Sequence, residues 1–258
     1  MPTFSSQDAH IHYQTFGDIS HPAIIFSNSL GTNYRMWQAQ IDHFKNDFFV
    51  ICYDTRGHGE SSSPQGPYTL EQLGQDVIDL LDHLKIDQAN FCGISMGGLT
   101  GQWLAIHHPK RFHHVVISNT AAKVGQQQAW NERAALVREQ GLQPIAATAA
   151  ARWFTEHFIA NHAETVAELQ KSLAAGSAQG YANCCEALAE ADLTAQIHTI
   201  DVPVLIIAGQ QDPVTTVLDA QFMLERIAKA ELVEINASHI SNVESPEQFN
   251  QAVQQFIA

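Results

Sequence analysis

Positive charge is scarce in this chain. Lysine and arginine together number 13 against 27 aspartate and glutamate residues, which leaves a formal net charge of −14 at pH 7. Nucleic-acid binding depends on basic patches that neutralise phosphates, so we expect no nucleic-acid partner. The same deficit means that an anionic substrate would need a cation placed in its own site.

Long apolar runs are also missing. No stretch approaches the roughly 20 consecutive apolar residues that a transmembrane helix requires, so we expect no membrane partner. Residues 1–5 do not place a basic region before an apolar core, as a secretory signal does. Both absences favour the cytoplasm as the location.

Cysteine is limited to four residues. Cys52 and Cys92 fall at the ends of predicted strands, and Cys184 and Cys185 are neighbours in a predicted helical region. Buried thiols explain this placement. No spacing of cysteine and histidine resembles a zinc site, so we expect neither a metal ion nor another cofactor.

The composition is that of an ordinary globular protein. The 258 residues are 45% hydrophobic and 16% charged, which is enough to bury one substantial core. The charge blocks and low-complexity segments of disordered chains do not occur. We therefore expect one folded domain that carries an insertion.

Strands and helices alternate through most of the chain. The predicted strand at 23–27 is apolar throughout, which is typical of a sheet covered on both faces. From about 123 to 197 only helical segments are predicted, with breaks near Gly141, Asn161 and Gly176. This pattern indicates a first core part at 1–121, a helical cap at 122–198 and a second core part at 199–258. The predicted strands lie at 9–15, 23–27, 48–53, 89–92, 115–118, 202–208 and 231–235, and the predicted core helices at 34–44, 70–84, 96–107, 217–227 and 246–257.

Ser95 is the residue on which we place the chemistry. It stands in Gly93-x-Ser95-x-Gly97, the spacing of a nucleophile elbow, in which a sharp strand-to-helix turn exposes a serine hydroxyl. Composition alone would produce this spacing in about one chain in ten of this length, so the spacing by itself is a weak signal. The context strengthens it, because an apolar strand at 89–92 precedes the turn and a helix at 96–107 follows it.

A serine nucleophile needs a base to take its proton and a carboxylate to orient that base. In open α/β sheets these groups lie beyond the carboxyl ends of the strands. Asp212 follows the strand at 202–208, and His239 follows the strand at 231–235. Each residue alone could be a turn, cap or surface residue. Their order after Ser95, however, is the order of serine, acid and histidine along the chain of serine hydrolases that are built on an α/β sheet. We predict a catalytic triad of Ser95, Asp212 and His239.

These residues resemble the α/β hydrolases and, within them, the 3-oxoadipate enol-lactonases of bacterial aromatic catabolism. The likeness covers nearly the whole chain, and the stretch at 118–122 followed by Trp130 and Arg133 looks most particular to the lactonases. The resemblance implies the α/β-hydrolase fold, with a mostly parallel central sheet flanked by helices and a helical cap inserted after the sixth strand. The other stretches that carry it are 27–32 with 35–37, 93–98 with 101–104, and 212–216.

The tetrahedral intermediate of such a reaction needs two backbone N–H donors, which form an oxyanion hole. One is expected from Met96, directly after the nucleophile. The other is expected from Leu30, in the loop after the strand at 23–27, at the position that follows His-Gly in many relatives. This chain has Asn28-Ser29 there instead. A backbone donor tolerates that change.

The resemblance implies a small anionic lactone as the substrate. The enzyme would open 3-oxoadipate enol-lactone, which bears a free acetate side chain, to 3-oxoadipate through an acyl-enzyme. It also implies that Trp130 packs on the ring and that Arg133 pairs with the carboxylate. From its helical position alone, Arg133 could equally be an ordinary solvated arginine. The rival cations are Arg35, Arg56 and Lys123.

Two other functional classes fit the same residues. One is a different hydrolase with a cap, either a general carboxylesterase or an enzyme that cleaves carbon–carbon bonds in vinylogous diketones. The other is a ligand-binding relative that kept the fold and lost turnover. The presence of all three triad residues counts against the second class.

Overall fold

An eight-stranded sheet forms the centre of the computed structural model, which describes residues 2–258. The strand order is β1-β2-β4-β3-β5-β6-β7-β8. Strand β2 runs antiparallel to β1 and to β4, and the other neighbouring pairs are parallel. The strands are β1 (Thr3–Ser6), β2 (Ala9–Phe16), β3 (Ala23–Ser27), β4 (Phe49–Tyr53), β5 (Ala89–Ile94), β6 (Phe112–Ser118), β7 (Val204–Gly209) and β8 (Ala230–Ile235). The expected mostly parallel sheet is confirmed.

The middle of the sheet is covered on both faces. Every residue of β3, β4, β5 and β7 is buried, which accounts for their near-continuous apolar sequences. Helices supply the cover on each side. They are α1 (Gln38–Phe44), α2 (Leu70–His83), α3 (Met96–His107), α4 (Gln127–Gln140), α5 (Gln143–Ala147), α6 (Ala149–Trp153), α7 (Glu156–Asn161), α8 (Ala163–Ala174), α9 (Ala178–Glu190), α10 (Val217–Leu224), α11 (Ser241–Glu244) and α12 (Pro246–Ile257). None of these helices, within residues 2–258, is long and apolar enough to cross a membrane.

The six helices α4 to α9 lie between β6 and β7, so the helical cap after the sixth strand is confirmed. Helices of the cap end at or near the three positions where the sequence predicts breaks. Gly141 ends α4 with a φ of 73°, Asn161 is the last residue of α7, and Gly176 lies between α8 and α9. The residue boundaries of 121/122 and 198/199 between core and cap stay a prediction.

Strand β1 is a feature that the sequence reasoning missed. It has four residues, and only Phe4 and Ser6 are buried. A segment this short carries no readable alternation of apolar and polar residues. Its strand conformation comes from antiparallel pairing with β2, from Thr3 opposite His12 to Ser6 opposite Ala9.

One of the rival cations, Arg56, is committed to the core of the fold. Its side chain is 0% exposed, and Nε and Nη2 each donate to a carboxylate oxygen of Asp76 at 2.7 Å. A third nitrogen, Nη1, donates to Asp8 at 3.0 Å. This bidentate pair joins the loop after β4 to α2, so Arg56 serves the packing of the fold.

Asp76→Asn should strongly destabilise the protein. The substitution leaves a buried guanidinium with only the half-exposed Asp8 as a counter-charge, and breaking a buried pair typically costs about 3–5 kcal/mol in the free energy of unfolding. Urea denaturation measures the effect. Asp42→Asn is the control, because Asp42 pairs with Lys45 on the surface and its loss should hardly move the midpoint. Similar midpoints for the two variants would contradict the assignment.

Candidate active site

Ser95 occupies a strained turn between β5 and α3. Its backbone has φ of 57° and ψ of −114°, in a region that residues with a side chain rarely adopt. Hydrogen bonds on both sides hold this conformation, from Ser95 N to Ser118 O at 2.9 Å and from Thr120 Oγ1 to Ser95 O at 2.8 Å. The turn therefore presents the hydroxyl of Ser95 from the carboxyl end of the sheet, as the elbow pattern predicts.

The glycines of the elbow allow neighbouring backbones to touch. A Cβ atom on Gly97 would lie 2.2 Å from the carbonyl oxygen of Ser27, and one on Gly93 would lie 2.2 Å from that of Gly97. Gly97 N also donates to Asn28 O at 3.1 Å. The start of α3 thus lies directly against the loop after β3, which carries Leu30.

His239 connects Ser95 to Asp212. Its Nε2 lies 2.9 Å from Ser95 Oγ, and its Nδ1 lies 2.8 Å from Asp212 Oδ2. All three side chains are buried. Asp212 follows β7 and His239 follows β8, so parallel pairing of these strands brings the two loops together at one edge. The structure therefore brings the three predicted residues into one hydrogen-bonded chain.

The carboxylate of Asp212 accepts hydrogen bonds from residues of its own loop. Oδ1 accepts from Val214 N at 2.7 Å and from Thr215 N at 3.1 Å, and Oδ2 accepts from Thr215 Oγ1 at 2.8 Å. Burial acts to raise the pKa of Asp212, but the attraction and hydrogen bond of His239, with these other donors, outweigh it and lower the pKa. Asp212 is therefore ionised at neutral pH.

The loop that carries His239 is tied to the cap. Ile240 N donates to the carbonyl oxygen of Trp153, the last residue of α6, at 2.9 Å. Ser238 N donates to Glu244 at 2.8 Å, and the same carboxylate accepts from Thr155 in the cap. The position of the imidazole is therefore linked to the position of the cap.

Two backbone donors near Ser95 are free. Among residues 2–258, the N–H groups of Leu30 and Met96 have no hydrogen-bond acceptor. The next amide along, Gly31 N, donates to Nε2 of the buried His58 at 2.9 Å. Burial lowers the pKa of His58, so its ring is neutral and can accept this hydrogen bond. This contact holds the loop that carries Leu30.

A pocket of about 280 Å³ opens beside Ser95 and His239. This volume is at the small end for ligand sites, which favours a compact substrate. Its wall combines an apolar part with a few polar groups. The lining residues are Ser29, Leu30, Ser95, Val124, Gly125, Gln126, Ala129, Trp130, Arg133, Arg152, Trp153, Leu173, Tyr181, Pro213, Val214 and His239.

Trp130 and Arg133 both reach this pocket from α4. The guanidinium carbon of Arg133 lies 4.9 Å from the centre of the Trp130 ring, and the indole Nε1 of Trp130 donates to Val124 O. Tyr181, from α9, also lines the pocket, and burial raises its pKa to about 12 even though two arginines lie nearby. The phenol is therefore neutral and can donate a hydrogen bond.

The second arginine of the pocket is Arg152, on α6. Its guanidinium donates to the carbonyl oxygens of Ile145 and Thr148, each at 3.1 Å. Burial, followed by the charge of Arg133, lowers the pKa of Arg152, but a guanidinium keeps its proton in proteins. No carboxylate lies within 4.0 Å of Arg133 or Arg152 among the described residues. The pocket thus holds two cations without a counter-ion.

The three rival cations lie elsewhere. Arg35 is exposed and lies over the ring of Tyr34 outside the pocket. Arg56 is buried against Asp76, and Lys123 pairs with Asp192 at 2.9 Å on the surface. Of the cations considered from the sequence, Arg133 alone lines the pocket beside Ser95.

Residues 22–246 match the family described as the alpha/beta hydrolase fold. The chain belongs to this family. The match includes the elbow, both loops that carry Asp212 and His239, and the whole helical cap. Residues 2–258 contain no group of three or more histidine, cysteine, aspartate or glutamate side chains that could hold a metal ion.

This alpha/beta hydrolase is similar to two enzymes of Acinetobacter baylyi. It is 64% identical to 3-oxoadipate enol-lactonase 2 over 252 residues, which cover 98% of this chain and 94% of the relative. It is 45% identical to 3-oxoadipate enol-lactonase 1 over 251 residues, which cover 97% of this chain and 94% of that relative. Both matches run nearly end to end.

A solved structure is similar throughout as well. The crystal structure of the enol-lactonase from Burkholderia xenovorans LB400 superposes with a TM-score of 0.97 at 41% sequence identity. The alignment covers 99% of each chain. The likeness therefore includes the cap of this hydrolase as well as its sheet.

Arg152 is a pocket residue that sequence reasoning missed. It stands beside Trp153 in a short alanine-rich segment, where no helical periodicity indicates which side faces the core. The repeated pairing of an arginine with a tryptophan, as in Trp130 and Arg133, is the one signal that the sequence offers. The direction in which the Arg152 side chain points depends on how the cap folds.

Gly97→Ala should destabilise this hydrolase although alanine is the better helix former by about 1 kcal/mol. The new methyl group would overlap the Ser27 carbonyl oxygen, which is backbone and cannot rotate away. We expect a loss of about 1–3 kcal/mol in the free energy of unfolding, as for other overpacked sites. Gly176→Ala is the control with a smaller expected effect, because its Cβ would lie 3.2 Å from the nearest atom, against 2.2 Å at Gly97. A stabilised Gly97→Ala variant would refute the close contact.

Proposed function

We propose that this protein hydrolyses 3-oxoadipate enol-lactone to 3-oxoadipate in the β-ketoadipate pathway of bacterial aromatic catabolism. The names of its two Acinetobacter relatives and of the Burkholderia structure support this substrate. So does the size of the pocket, about 280 Å³, which suits a single small ring with a short side chain.

The observation that carries the proposal is the charge of the pocket. Arg133 and Arg152 both line it, and neither has a carboxylate partner among the described residues. In a chain with a net charge of −14, two unpaired guanidinium groups beside a serine and histidine pair provide a site for an anion. The enol-lactone supplies that anion as its acetate side chain.

In the first step, Ser95 Oγ attacks the lactone carbonyl carbon and His239 Nε2 takes the hydroxyl proton. The distance of 2.9 Å between these two atoms suits this transfer. Asp212, 2.8 Å from Nδ1, fixes the tautomer of the ring and stabilises the imidazolium that forms. Ser95, His239 and Asp212 act together as the catalytic triad.

The carbonyl oxygen becomes negative in the tetrahedral intermediate and needs fixed donors. The N–H groups of Leu30 and Met96 fill this role, because both are free and lie on segments that Gly97 brings into contact. His58 supports the arrangement through Gly31 N, the amide that follows Leu30. These dipoles are set before the substrate arrives, so they need not reorganise during the reaction.

Collapse of the intermediate breaks the ring C–O bond and leaves an acyl-enzyme on Ser95. The leaving enolate takes the proton from His239 and tautomerises to the ketone while it stays attached through the acyl chain. A water molecule then loses a proton to His239 and attacks the ester carbonyl. The second tetrahedral intermediate releases Ser95 and gives 3-oxoadipate.

The cap binds the part of the substrate that does not react. Trp130 packs against the ring, while Arg133 and Arg152 pair with the acetate carboxylate. Carbonyl oxygens of α5 and the residue after it hold the Arg152 guanidinium in position, so little side-chain entropy is lost on binding.

Ser95→Ala should abolish turnover and leave the fold intact. Loss of a triad nucleophile lowers kcat by roughly 10⁴-fold or more. The assay follows disappearance of the enol-lactone, and circular dichroism checks the fold. Ser20→Ala, in an exposed turn, is the control with unchanged turnover. Activity that persists in Ser95→Ala would remove Ser95 from the mechanism.

Arg133→Leu and Arg152→Leu should each raise KM for the enol-lactone by roughly 10- to 100-fold, since a charge-assisted hydrogen bond contributes about 1.5–3 kcal/mol. A neutral aryl ester should show less than a threefold change with the same variants, because it has no carboxylate to lose. Parallel increases for both substrates would exclude the arginines as carboxylate ligands.

The same substrates separate the competing functions. Selective turnover of the enol-lactone by the wild-type protein supports the proposal. Slow, unselective ester cleavage would favour a general carboxylesterase, and cleavage of a ring-fission diketone would favour a carbon–carbon bond hydrolase. Binding of the lactone without turnover would favour a ligand-binding relative.

A further inference from the structure

Asn119 has an unusual backbone for a residue with a side chain. It directly follows β6, is 2% exposed, and has a φ of 44°. Asparagine, aspartate and glycine are the residues that adopt this left-handed region most readily. A buried residue held in this conformation indicates that its surroundings require it.

The side-chain amide of Asn119 has a full set of partners. Nδ2 donates to Asp212 Oδ2 and to the carbonyl oxygen of Ser238, both at 3.0 Å. Oδ1 accepts from the hydroxyl groups of Ser118 and Ser241. The carboxylate and the carbonyl can only accept, so the nitrogen must face them, and the two hydroxyls can donate to the oxygen. The orientation of the amide is thereby determined.

These contacts link separate parts of the proposed triad. The other hydrogen bonds to the Asp212 carboxylate, apart from that of His239, come from Val214 and Thr215 in its own loop, and these donors move with it. Asn119 instead directly follows a different strand, β6. Its amide nitrogen contacts the carboxylate of Asp212 on one side. On the other side it contacts the carbonyl oxygen of Ser238, the residue before His239.

We propose that Asn119 is a positioning residue that sets Asp212 and the His239 loop at their working separation. The inference rests on the proposed function, because it assumes that these residues form a triad with Ser95. Asn119 touches neither the pocket nor the reacting atoms, and it acts through the residues that it holds. The left-handed turn after β6 aims the amide between the ends of β7 and β8.

The residue type follows from two requirements. Glycine and aspartate tolerate the backbone conformation, but glycine offers no side-chain donor and an ionised aspartate would face Asp212 with a like charge. Asparagine alone among the three provides two N–H groups at this φ. The preceding serine and Ser241 then fix which way the amide points.

The test uses Asn119→Gly and Asn119→Asp in the full chain. Both keep the backbone conformation, and both remove the donor. We expect kcat for the enol-lactone to fall roughly 10- to 100-fold, the usual effect of misplacing catalytic groups by about 1 Å. KM should change less than threefold, since the arginines and Trp130 are untouched.

A second readout does not depend on the lactone. The rate at which a fluorophosphonate labels Ser95 reports the triad itself, and it should fall by a similar factor. The proton NMR resonance of the His239 Nδ1–H bonded to Asp212 should shift or disappear. Asn250→Asp is the matched control, because Asn250 is also buried and hydrogen-bonded but lies on α12, where its oxygen accepts from Gln40 of α1. It should leave both readouts unchanged.

Several outcomes would overturn the inference. Wild-type kcat and labelling rate in Asn119→Gly would do so, as would an increase in KM without a loss of kcat. Equal losses in Asn250→Asp would reduce Asn119 to a general stabilising role. If Asn119→Gly does not fold, Asn119→Asp carries the test, since it preserves the acceptor for both serine hydroxyls.

Failure of the proposed function can be distinguished from failure of the inference about Asn119. If the wild-type protein is labelled at Ser95 but leaves the enol-lactone intact, the substrate assignment fails and the labelling rates still decide the role of Asn119. If the wild-type rates are normal and the Asn119 variants match them, only the inference fails.

Discussion

The close backbone contact at the start of α3 is the constraint on which the site depends. Gly97 lies against the Ser27 carbonyl, and this contact joins two loops that leave different strands. It brings the strained Ser95, the N–H of Met96 and the N–H of Leu30 to one edge of the sheet. The strands that precede the two loops, β3 and β5, are buried along their whole length, so close packing supports the contact.

The pocket is positively charged although the chain as a whole is acidic. Acidic residues outnumber basic ones by 27 to 13, yet the pocket beside Ser95 contains two arginines and no carboxylate among its lining residues. The surplus negative charge lies elsewhere, so the surface repels anions while the pocket attracts them. Under the proposed function, such a site favours ligands that carry a negative group on a small apolar body.

The sequence predicts seven of the eight strands and the order of serine, acid and histidine, because strand ends and chain order are local features. Asp212 and His239 could be placed at the edge that holds Ser95 because both stand just after predicted strands. Asn119 and Arg152 could not be assigned in the same way. The role proposed for Asn119 depends on its φ and on two distant loops, and the direction of Arg152 depends on how short cap helices pack. Both are properties of the tertiary structure that no periodicity records.

The hydrogen bond from Ile240 N to Trp153 O gives the cap and the core a short connection. These two residues are the immediate neighbours of His239 and Arg152, so one hydrogen bond and one peptide link on each side lie between the imidazole-bearing residue and the arginine of the pocket. Because both bonded atoms belong to the backbone, a displacement of α6 is transmitted to the loop of His239 without passing through a side chain.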